Sequence, residues 1–146
     1  MKNIFIDANI ILDIFNPTRP SSIYSIKFYD YILKNSYKLF TSCDIMTTLY
    51  YIDSKRDKTK ALLNIQKINK ILKIIEFSNK EIEKTCNLML EDKDYKDLED
   101  TIQYILAKNL NCDLIISNDK RFVSKDIKLM SSEEFCIENS IVCKEI

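Results

Sequence analysis

The sequence contains no glycine in 146 residues. Tight turns and phosphate-binding loops depend on glycine because a residue without a Cβ enters the left-handed backbone region without a steric penalty. The absence excludes the P-loop, the GxGxxG dinucleotide fingerprint and the GxSxG nucleophile elbow. Helices must also end on another residue, for which asparagine is the usual substitute. We therefore predict left-handed helix stops at Asn35, Asn109 and Asn111.

Histidine is absent as well. This excludes zinc sites built on histidine, Ser–His–Asp triads and Cys–His nucleophiles. The side chains that remain for chemistry are carboxylates, amides, hydroxyls, lysine and arginine, a set that suits a hard metal ion. The five cysteines form no CxxC pair, so we expect free thiols in a reducing cytosol.

Composition indicates one soluble globular domain, with 46% hydrophobic and 30% charged residues. The 22 basic and 22 acidic side chains balance, so any contact with nucleic acid must be local. Asp7 and Asp13 interrupt the apolar start of the chain, which argues against a signal peptide. No stretch approaches the ~18 apolar residues of a membrane span. We expect a cytoplasmic protein with no membrane partner.

Short apolar runs alternate with segments of helical period along the whole chain. The predicted strands are Asn3–Ile6, Lys38–Thr41, Ile74–Phe77, Leu114–Ser117 and Ile127–Met130. Capping-box spacings at Ser78–Glu81 and Ser131–Glu134 mark two of the helix starts. Strands that alternate with helices indicate a parallel sheet covered on both faces, which binds ligands beyond the carboxyl ends of its strands.

Four aspartates follow strands or open a helix at that edge. Asp7 closes the first strand, Asp119 follows the fourth, and Asp97 and Asp100 stand three residues apart at a helix start. Each alone has an ordinary explanation as a helix cap or a turn residue. A parallel sheet, however, brings Asp7, Asp100 and Asp119 to the same edge.

Carboxylates that meet in this way need a proton or a cation. At ~5 Å and an effective dielectric near 20, each pair repels by about 3 kcal/mol. A hard divalent ion with oxygen ligands, Mg²⁺ or Mn²⁺, removes that repulsion. A carboxylate-held Mg²⁺ also suits phosphodiester cleavage, because it activates water and stabilises the charge that develops on phosphorus.

Five segments of the chain form an ordered set: Ile4–Asp13, Thr41–Tyr51, Asp97–Gln103, Leu114–Phe122 and Ile127–Phe135. In this order they resemble the motifs of PIN-domain ribonucleases, a family that includes the toxins of VapBC-type toxin–antitoxin modules. The resemblance extends from about Lys2 to Phe135. It implies an α/β fold of three layers, α/β/α, around a central parallel sheet of four to five strands. Residues 1–135 would form this PIN-like nuclease domain, and residues 136–146 a C-terminal tail that packs on it or extends from it.

The resemblance also implies an activity and a site. The activity is divalent-metal-dependent endonucleolytic cleavage of RNA, with Mg²⁺ or Mn²⁺ held by Asp7, Asp100 and Asp119 and with Asp97 near them as a further ligand. Asn9 would orient Asp7, and the Ser117 hydroxyl would steady the pocket or a phosphate. Proteins of this family are often homodimers and the toxins bind an antitoxin, so we expect both partners.

One position departs from the family pattern. Thr48 stands where the family carries its second acid, normally glutamate. Asp44, one helical turn earlier on the same face, is a possible substitute, although it also fits a first-turn acid after a Ser42 N-cap. The loss leaves an alternative function open, a catalytically impaired scaffold that binds RNA or protein.

A phosphatase of the haloacid-dehalogenase type is a third reading, with Asp7 as nucleophile. That chemistry needs an acid two residues later, where Asn9 is an amide. The sequence therefore favours a nuclease over this phosphatase.

A basic stretch lies between the second and third predicted strands. It comprises Lys55, Arg56, Lys58, Lys60, Lys67, Lys70 and Lys73. The default interpretation is a solvated helical face; the alternative is a surface that contacts the RNA backbone, with Tyr50 or Tyr51 stacking on a base.

Overall fold

The computed structural model describes residues 2–144. The outermost ends of the two expected units, residue 1 and residues 145–146, lie outside this range. The strands are β1 (Asn3–Ile6), β2 (Lys38–Ser42), β3 (Lys73–Ile75), β4 (Leu114–Ile116) and β5 (Lys128–Met130). The helices are α1 (Ala8–Phe15), α2 (Ser22–Lys34), α3 (Cys43–Asp53), α4 (Lys58–Asn69), α5 (Asn79–Glu91), α6 (Leu98–Asn109) and α7 (Ser132–Glu138).

The five strands form one parallel sheet in the order β3-β2-β1-β4-β5. β1 lies at its centre, with Phe5 opposite Phe40 of β2 and opposite Ile115 of β4. Ile4, Phe5 and Ile6 are fully buried, as expected for a strand covered on both faces. The expected parallel sheet of four to five strands is confirmed, with five strands, and each predicted strand is matched to within two residues at its ends.

Helices cover both faces of the sheet because successive side chains of a strand point in opposite directions. Ile4 and Ile6 pack into a core with residues of α1, α2, α3, α4 and α7. Phe5 and Ile115 pack on the other side with residues of α6 such as Ile102. The result is the three-layer α/β/α arrangement predicted from the sequence.

This topology places the ends of β1 and β4 side by side. The Asp7 N–H donates to the Ile116 carbonyl at 3.0 Å, directly beyond the last paired residues of the two strands. α6 packs over β1 and β2, and the charge of Asp7 reaches Asp100 in its first turn. Side chains that follow β1 and β4 and those that open α6 therefore come together from distant parts of the sequence.

The predicted helix stops are only partly correct. Asn111 has the left-handed φ of 52° that was expected of it. Asn35 keeps a negative φ because its side-chain Nδ2 donates to the Tyr31 carbonyl at 2.7 Å, and the left-handed residue is Ser36, at 57°. Asn109 is the last residue of α6 itself, since the helix continues until the Leu110 cap.

Local signals at helix starts are reproduced. Ser78 and Glu81 form the predicted capping box, with the Ser78 N–H donating to Glu81 Oε1 at 3.3 Å. Ser131 and Glu134 form the second capping box, with both bonds at 3.0 Å.

All five cysteines are free, as predicted. Every helix in residues 2–144 is too short or too polar to cross a lipid bilayer.

Candidate metal centre

Asp7 lies at the carboxyl end of β1 and is only 5% exposed. Its Oδ1 accepts the Ala8 N–H at 2.7 Å. This bond caps α1, as the interpretation of Asp7 as a helix cap predicts. Its Oδ2 accepts Asn9 Nδ2 at 2.9 Å and the Ser117 hydroxyl at 2.7 Å. Burial raises the pKa of Asp7, and these hydrogen bonds lower it by a smaller amount. The carboxylate is therefore fixed in orientation but poorly solvated.

Asn9 and Ser117 tie Asp7 to the loop after β4. Asn9 Oδ1 accepts the Asn118 N–H at 2.9 Å, and Ser117 Oγ accepts the Asp119 N–H at 3.1 Å. The two roles that the resemblance implied for Asn9 and Ser117 are thus matched by contacts of both side chains with Asp7. One hydrogen-bonded unit holds the ends of β1 and β4 together.

A second buried carboxylate, that of Asp13, is hydrogen-bonded to the same loop after β4. Asp13 accepts Arg19 Nε at 2.8 Å, the Ser25 hydroxyl at 2.7 Å and Asn118 Nδ2 at 2.9 Å. Asn118 Oδ1 in turn accepts the Ser132 N–H at 2.9 Å. Asp13 has a cationic partner and a full set of donors, whereas the ion pairs of the described residues give Asp7 no such partner.

Asp100 stands in the first turn of α6, where the Asp97 carboxylate caps the helix by accepting the Asp100 N–H at 2.9 Å. The pKa of Asp100 is raised to about 7. Burial is the main cause; the charges of Asp7, Asp97, Asp119 and, last, Glu99 add to it. The aspartates singled out in the sequence are therefore close enough to act on one another through space.

Asp119 lies on the loop after β4 and forms the turn expected of it. Its Oδ1 accepts the Arg121 N–H at 2.9 Å and the Arg121 Nε at 3.4 Å. The Arg121 side chain is 91% exposed, so this ion pair is weak. Asp119 thus remains available to a stronger cation.

Glu99 faces the same region and was not singled out from the sequence. Burial raises its pKa, and so do the charges of Asp44, Asp7 and Asp97, in that order. Asp44 accepts a short hydrogen bond from Ser42 and lies in the first turn of α3, as predicted, yet its charge also reaches Glu99. The sequence shows a glutamate next to Asp100, but the direction of the Glu99 side chain depends on how α6 is rotated against the sheet.

Gln103 is the other residue that sequence reasoning missed. It is fully buried, one helical turn after Asp100, and neither atom of its side-chain amide has a hydrogen-bond partner. Its amide lies close enough to Asp7 to lower the pKa of that carboxyl. Its position in a helix of buried apolar residues gave no indication of such a contact.

Asp97, Asp100 and Asp119 line a cleft of about 740 Å³, the site cleft. Its acidic lining comprises Asp94, Asp97, Asp100 and Asp119. Its basic lining comprises Lys96, Lys120, Arg121 and Lys125. A cleft that combines acidic and basic side chains in this way fits a ligand carrying both a cation and phosphate groups.

The donor set fits a hard divalent ion in its chemistry. In residues 2–144, no three acidic or cysteine side chains form a ready-made group of metal ligands. The carboxylates of Asp7, Asp100 and Asp119 nevertheless interact electrostatically, and Asp7 and Asp100 have no lysine or arginine partner in the described part of the chain. Buried oxygen donors with raised pKa values and no counter-charge are what Mg²⁺ or Mn²⁺ would neutralise.

The basic stretch predicted from the sequence, from Lys55 to Lys73, lies outside the site cleft. Lys55 and Arg56 are in the loop after α3, where Lys55 Nζ lies 4.3 Å from the Tyr51 ring centre and Arg56 pairs with Asp53 at 3.5 Å. All seven side chains of the stretch are exposed, and none lines the site cleft. Tyr51 is 68% exposed and Tyr50 is half-buried. The solvated face is the better description.

Comparison with known proteins gives a consistent result. The sequence profile of the PIN domain matches residues 3–121. Ribonuclease VapC1 from Aquifex aeolicus (strain VF5) is 49% identical over 135 residues, which are 92% of this chain and 94% of that protein.

Solved structures share the fold at lower sequence identity. VapBC2 from Rickettsia felis, bound to a DNA fragment from its promoter, matches with a TM-score of 0.68 at 20% identity, covering 88% of this chain and 98% of that one. VapC20 from Mycobacterium tuberculosis, a toxin that cleaves the sarcin–ricin loop, matches with a TM-score of 0.66 at 10% identity, covering 82% and 92%.

The raised pKa of Asp100 predicts how stability depends on pH. In chelator the folded state binds this proton more tightly than the unfolded chain does, so the stabilisation is complete below the ordinary pKa of 3.8 and is lost as pH rises through about 7. Between about pH 4 and about pH 7 the free energy of unfolding should fall, and Asp100→Asn should reduce that slope. Urea unfolding measures it, with Asp30→Asn, on the exposed face of α2, as the matched control. An unchanged slope in Asp100→Asn would refute the assignment.

Proposed function

This chain belongs to the PIN domain family, and on that premise we propose that it is an endoribonuclease that hydrolyses RNA phosphodiester bonds in the site cleft. The observation that carries the proposal is that half-buried Asp100 lies close enough to Asp7, Asp97 and Asp119 for their charges to raise its pKa to about 7, while the described residues give Asp100 no lysine or arginine partner. The relative named Ribonuclease VapC1, 49% identical over nearly the whole chain, supports the same activity.

We assign the metal to the carboxylates of Asp7, Asp100 and Asp119, with Asp97 beside them. PIN ribonucleases depend on a divalent metal ion; we propose Mg²⁺ or Mn²⁺ because all the available donors are oxygens. When bound, such an ion supplies an activated water and stabilises charge on the phosphate. Asp97 already caps α6, so its share in binding is the weakest of the four.

The protein's own residues orient and hold the reacting groups. Asn9 and Ser117 keep the Asp7 carboxylate in one orientation, so that binding costs it little rotational freedom. Lys96 and Lys120 line the same cleft and place positive charge where a phosphodiester backbone would enter. The acidic lining of the cleft would thus bind the cation, and the basic lining would bind the RNA substrate.

We propose a protein partner for the face formed by α1, α2 and α4. A cleft of about 610 Å³ there is lined mainly by apolar side chains, including Ile14, Phe15, Leu33 and Ile71. Exposed apolar surface of this kind marks interaction sites. Since the Rickettsia felis neighbour is a VapBC toxin–antitoxin complex, we assign the partner as an antitoxin. A homodimer and action in the cytoplasm, where RNA is found, remain predictions from the sequence.

A second function is supported by Thr48. This residue lies on α3, half-buried, at the position of the family's second acid. A site short of one carboxylate binds its ion more weakly, and a scaffold of this kind could retain RNA or protein binding without cleavage. Glu99 and Asp44 favour the active enzyme, because Glu99 brings negative charge toward Asp7 and Asp100, and Asp44 brings negative charge toward Glu99.

Removal of either central carboxylate should abolish cleavage. Asp7→Asn and Asp100→Asn each keep the shape of the side chain but remove a charge that the metal needs, so we expect the rate of RNA cleavage in Mn²⁺ to fall by about a thousandfold or more, about 4 kcal/mol. Asp30→Asn, on the exposed face of α2, is the matched control and should cleave like the wild type. Wild-type cleavage that persists in excess chelator would contradict the mechanism.

The substitution Thr48→Glu separates the two functions. If the native site is impaired by the missing acid, glutamate should strengthen Mn²⁺ binding about tenfold or more and raise turnover with it. We expect a smaller gain, because Glu99 and Asp44 already supply charge. Isothermal titration with Mn²⁺ and single-turnover cleavage measure the two effects, and Thr48→Gln controls for side-chain size.

The basic lining of the site cleft should account for RNA affinity. For Lys96→Ala combined with Lys120→Ala, the loss of two phosphate contacts should reduce the slope of log affinity against log salt by about 1.4. The matched pair Lys58→Ala and Lys60→Ala, exposed on α4 outside the cleft, should leave the slope unchanged. The opposite result would assign RNA binding to the basic stretch of α4.

A further inference from the structure

We propose that a second cleft, which adjoins the site cleft, binds one base of the RNA strand, and that Glu133 makes guanine the preferred base. The inference rests on the proposed function and names a class of substrate for it. The second cleft has a volume of about 390 Å³ and lies between the loop after β4, the start of α2 and the start of α7. Clefts that bind small organic molecules range from about 300 to 1,000 Å³, so one base has room in it.

Two residues connect the second cleft with the site cleft. Asp119 and Lys120 line both of them. Asp119 is a proposed ligand of the metal ion, so an RNA strand whose phosphate reaches that ion has a neighbouring nucleotide within reach of the second cleft. The Lys120 side chain is exposed and makes neither a hydrogen bond nor an ion pair within residues 2–144. Its charge is therefore free to bind the phosphate between the two nucleotides.

The lining of the second cleft combines apolar and polar side chains. Phe122 is buried and Leu129 is half-buried, and both supply apolar surface. Ser21 and Ser131 supply hydroxyl groups, and the Ser21 hydroxyl makes no capping bond with α2. A base likewise has apolar ring faces and polar edges, and proteins read unpaired RNA bases by contacts with both. The cleft thus matches a base that is turned out of the strand.

Glu133 is the carboxylate of this cleft that remains free for a ligand. Glu134, next to it, accepts the Ser131 N–H at 3.0 Å, and Asp119 is assigned to the metal ion. The Glu133 side chain is exposed and has no hydrogen bond or ion pair in the part of the chain that the structure describes. An acid in the first turn of α7 also stabilises the helix dipole, but Glu134 fills that role as well.

A free carboxylate selects bases by the hydrogen-bond donors they offer. An ionised carboxylate only accepts hydrogen bonds, so it binds a base through N–H groups. Guanine offers two adjacent donors, N1–H and the 2-amino group, one for each carboxylate oxygen. Adenine and cytosine each offer one amino group beside an unprotonated ring nitrogen, and uracil holds its N3–H between two carbonyl oxygens that repel the carboxylate. Of the four bases, guanine therefore binds Glu133 most strongly.

The test measures base preference. RNA hairpins with a randomised loop are incubated with the protein and Mn²⁺, and the cleaved ends are sequenced. In the wild type we expect loops with guanine at one position beside the cut to be cleaved about tenfold faster than the others, because a bidentate contact discriminates between bases by a factor of this order. In Glu133→Gln the side chain keeps one acceptor oxygen, and we expect the preference to fall to about twofold or less.

Glu83→Gln is the matched control, because Glu83 is exposed on α5 and lines neither cleft. It should keep the wild-type preference. Fluorescence anisotropy in chelator gives a readout without cleavage, the affinity for a hairpin with guanine in its loop against one with uracil. In a wild type that cleaves RNA, the absence of a guanine preference, or its survival in Glu133→Gln, would overturn the inference alone. Guanine-dependent binding that is lost in Glu133→Gln, by a wild type that cleaves no RNA, would support the second cleft and overturn the proposed endoribonuclease.

Discussion

The repulsion between buried carboxylates at the end of β1 is the constraint on which the rest of this structure depends. Asp7 is buried and Asp100 is half-buried, and the ion pairs of the described residues give neither of them a cationic partner. Burial raises the pKa values of both, and the charge of Asp7 raises the pKa of Asp100 further. A fold gains no stability from such an arrangement. The destabilisation by the buried negative charges would be offset when a cation from solution binds between them.

The surrounding polar groups stabilise the buried carboxylates by donating hydrogen bonds to them. Asn9 and Ser117 hold Asp7 directly, and Asn118 extends the network to Asp13. Asp13 is as buried as Asp7 but is neutralised by Arg19, so the protein resolves one buried charge internally and leaves the other open. This difference between two carboxylates six residues apart distinguishes a structural acid, Asp13, from the proposed metal ligand, Asp7.

Much of this could be read from the sequence, because the signals were local. The apolar strand runs and their alternation with helices predict a parallel sheet with Asp7, Asp100 and Asp119 at one edge. The helix stops at Asn35 and Asn109 were misassigned because the end of a helix depends on how far packing extends it, which a single asparagine does not report. Glu99 and Gln103 were missed for a related reason: their direction is set by the rotation of α6 against β1, a tertiary quantity without a sequence signature.

The most direct test of the central claim is a crystal structure grown with Mn²⁺ and measured with anomalous scattering. The account predicts one strong anomalous peak in contact with carboxylate oxygens of Asp7, Asp100 and Asp119, at the open end of the site cleft. A peak bound only to surface carboxylates, or no peak at a concentration that supports RNA cleavage, would contradict it.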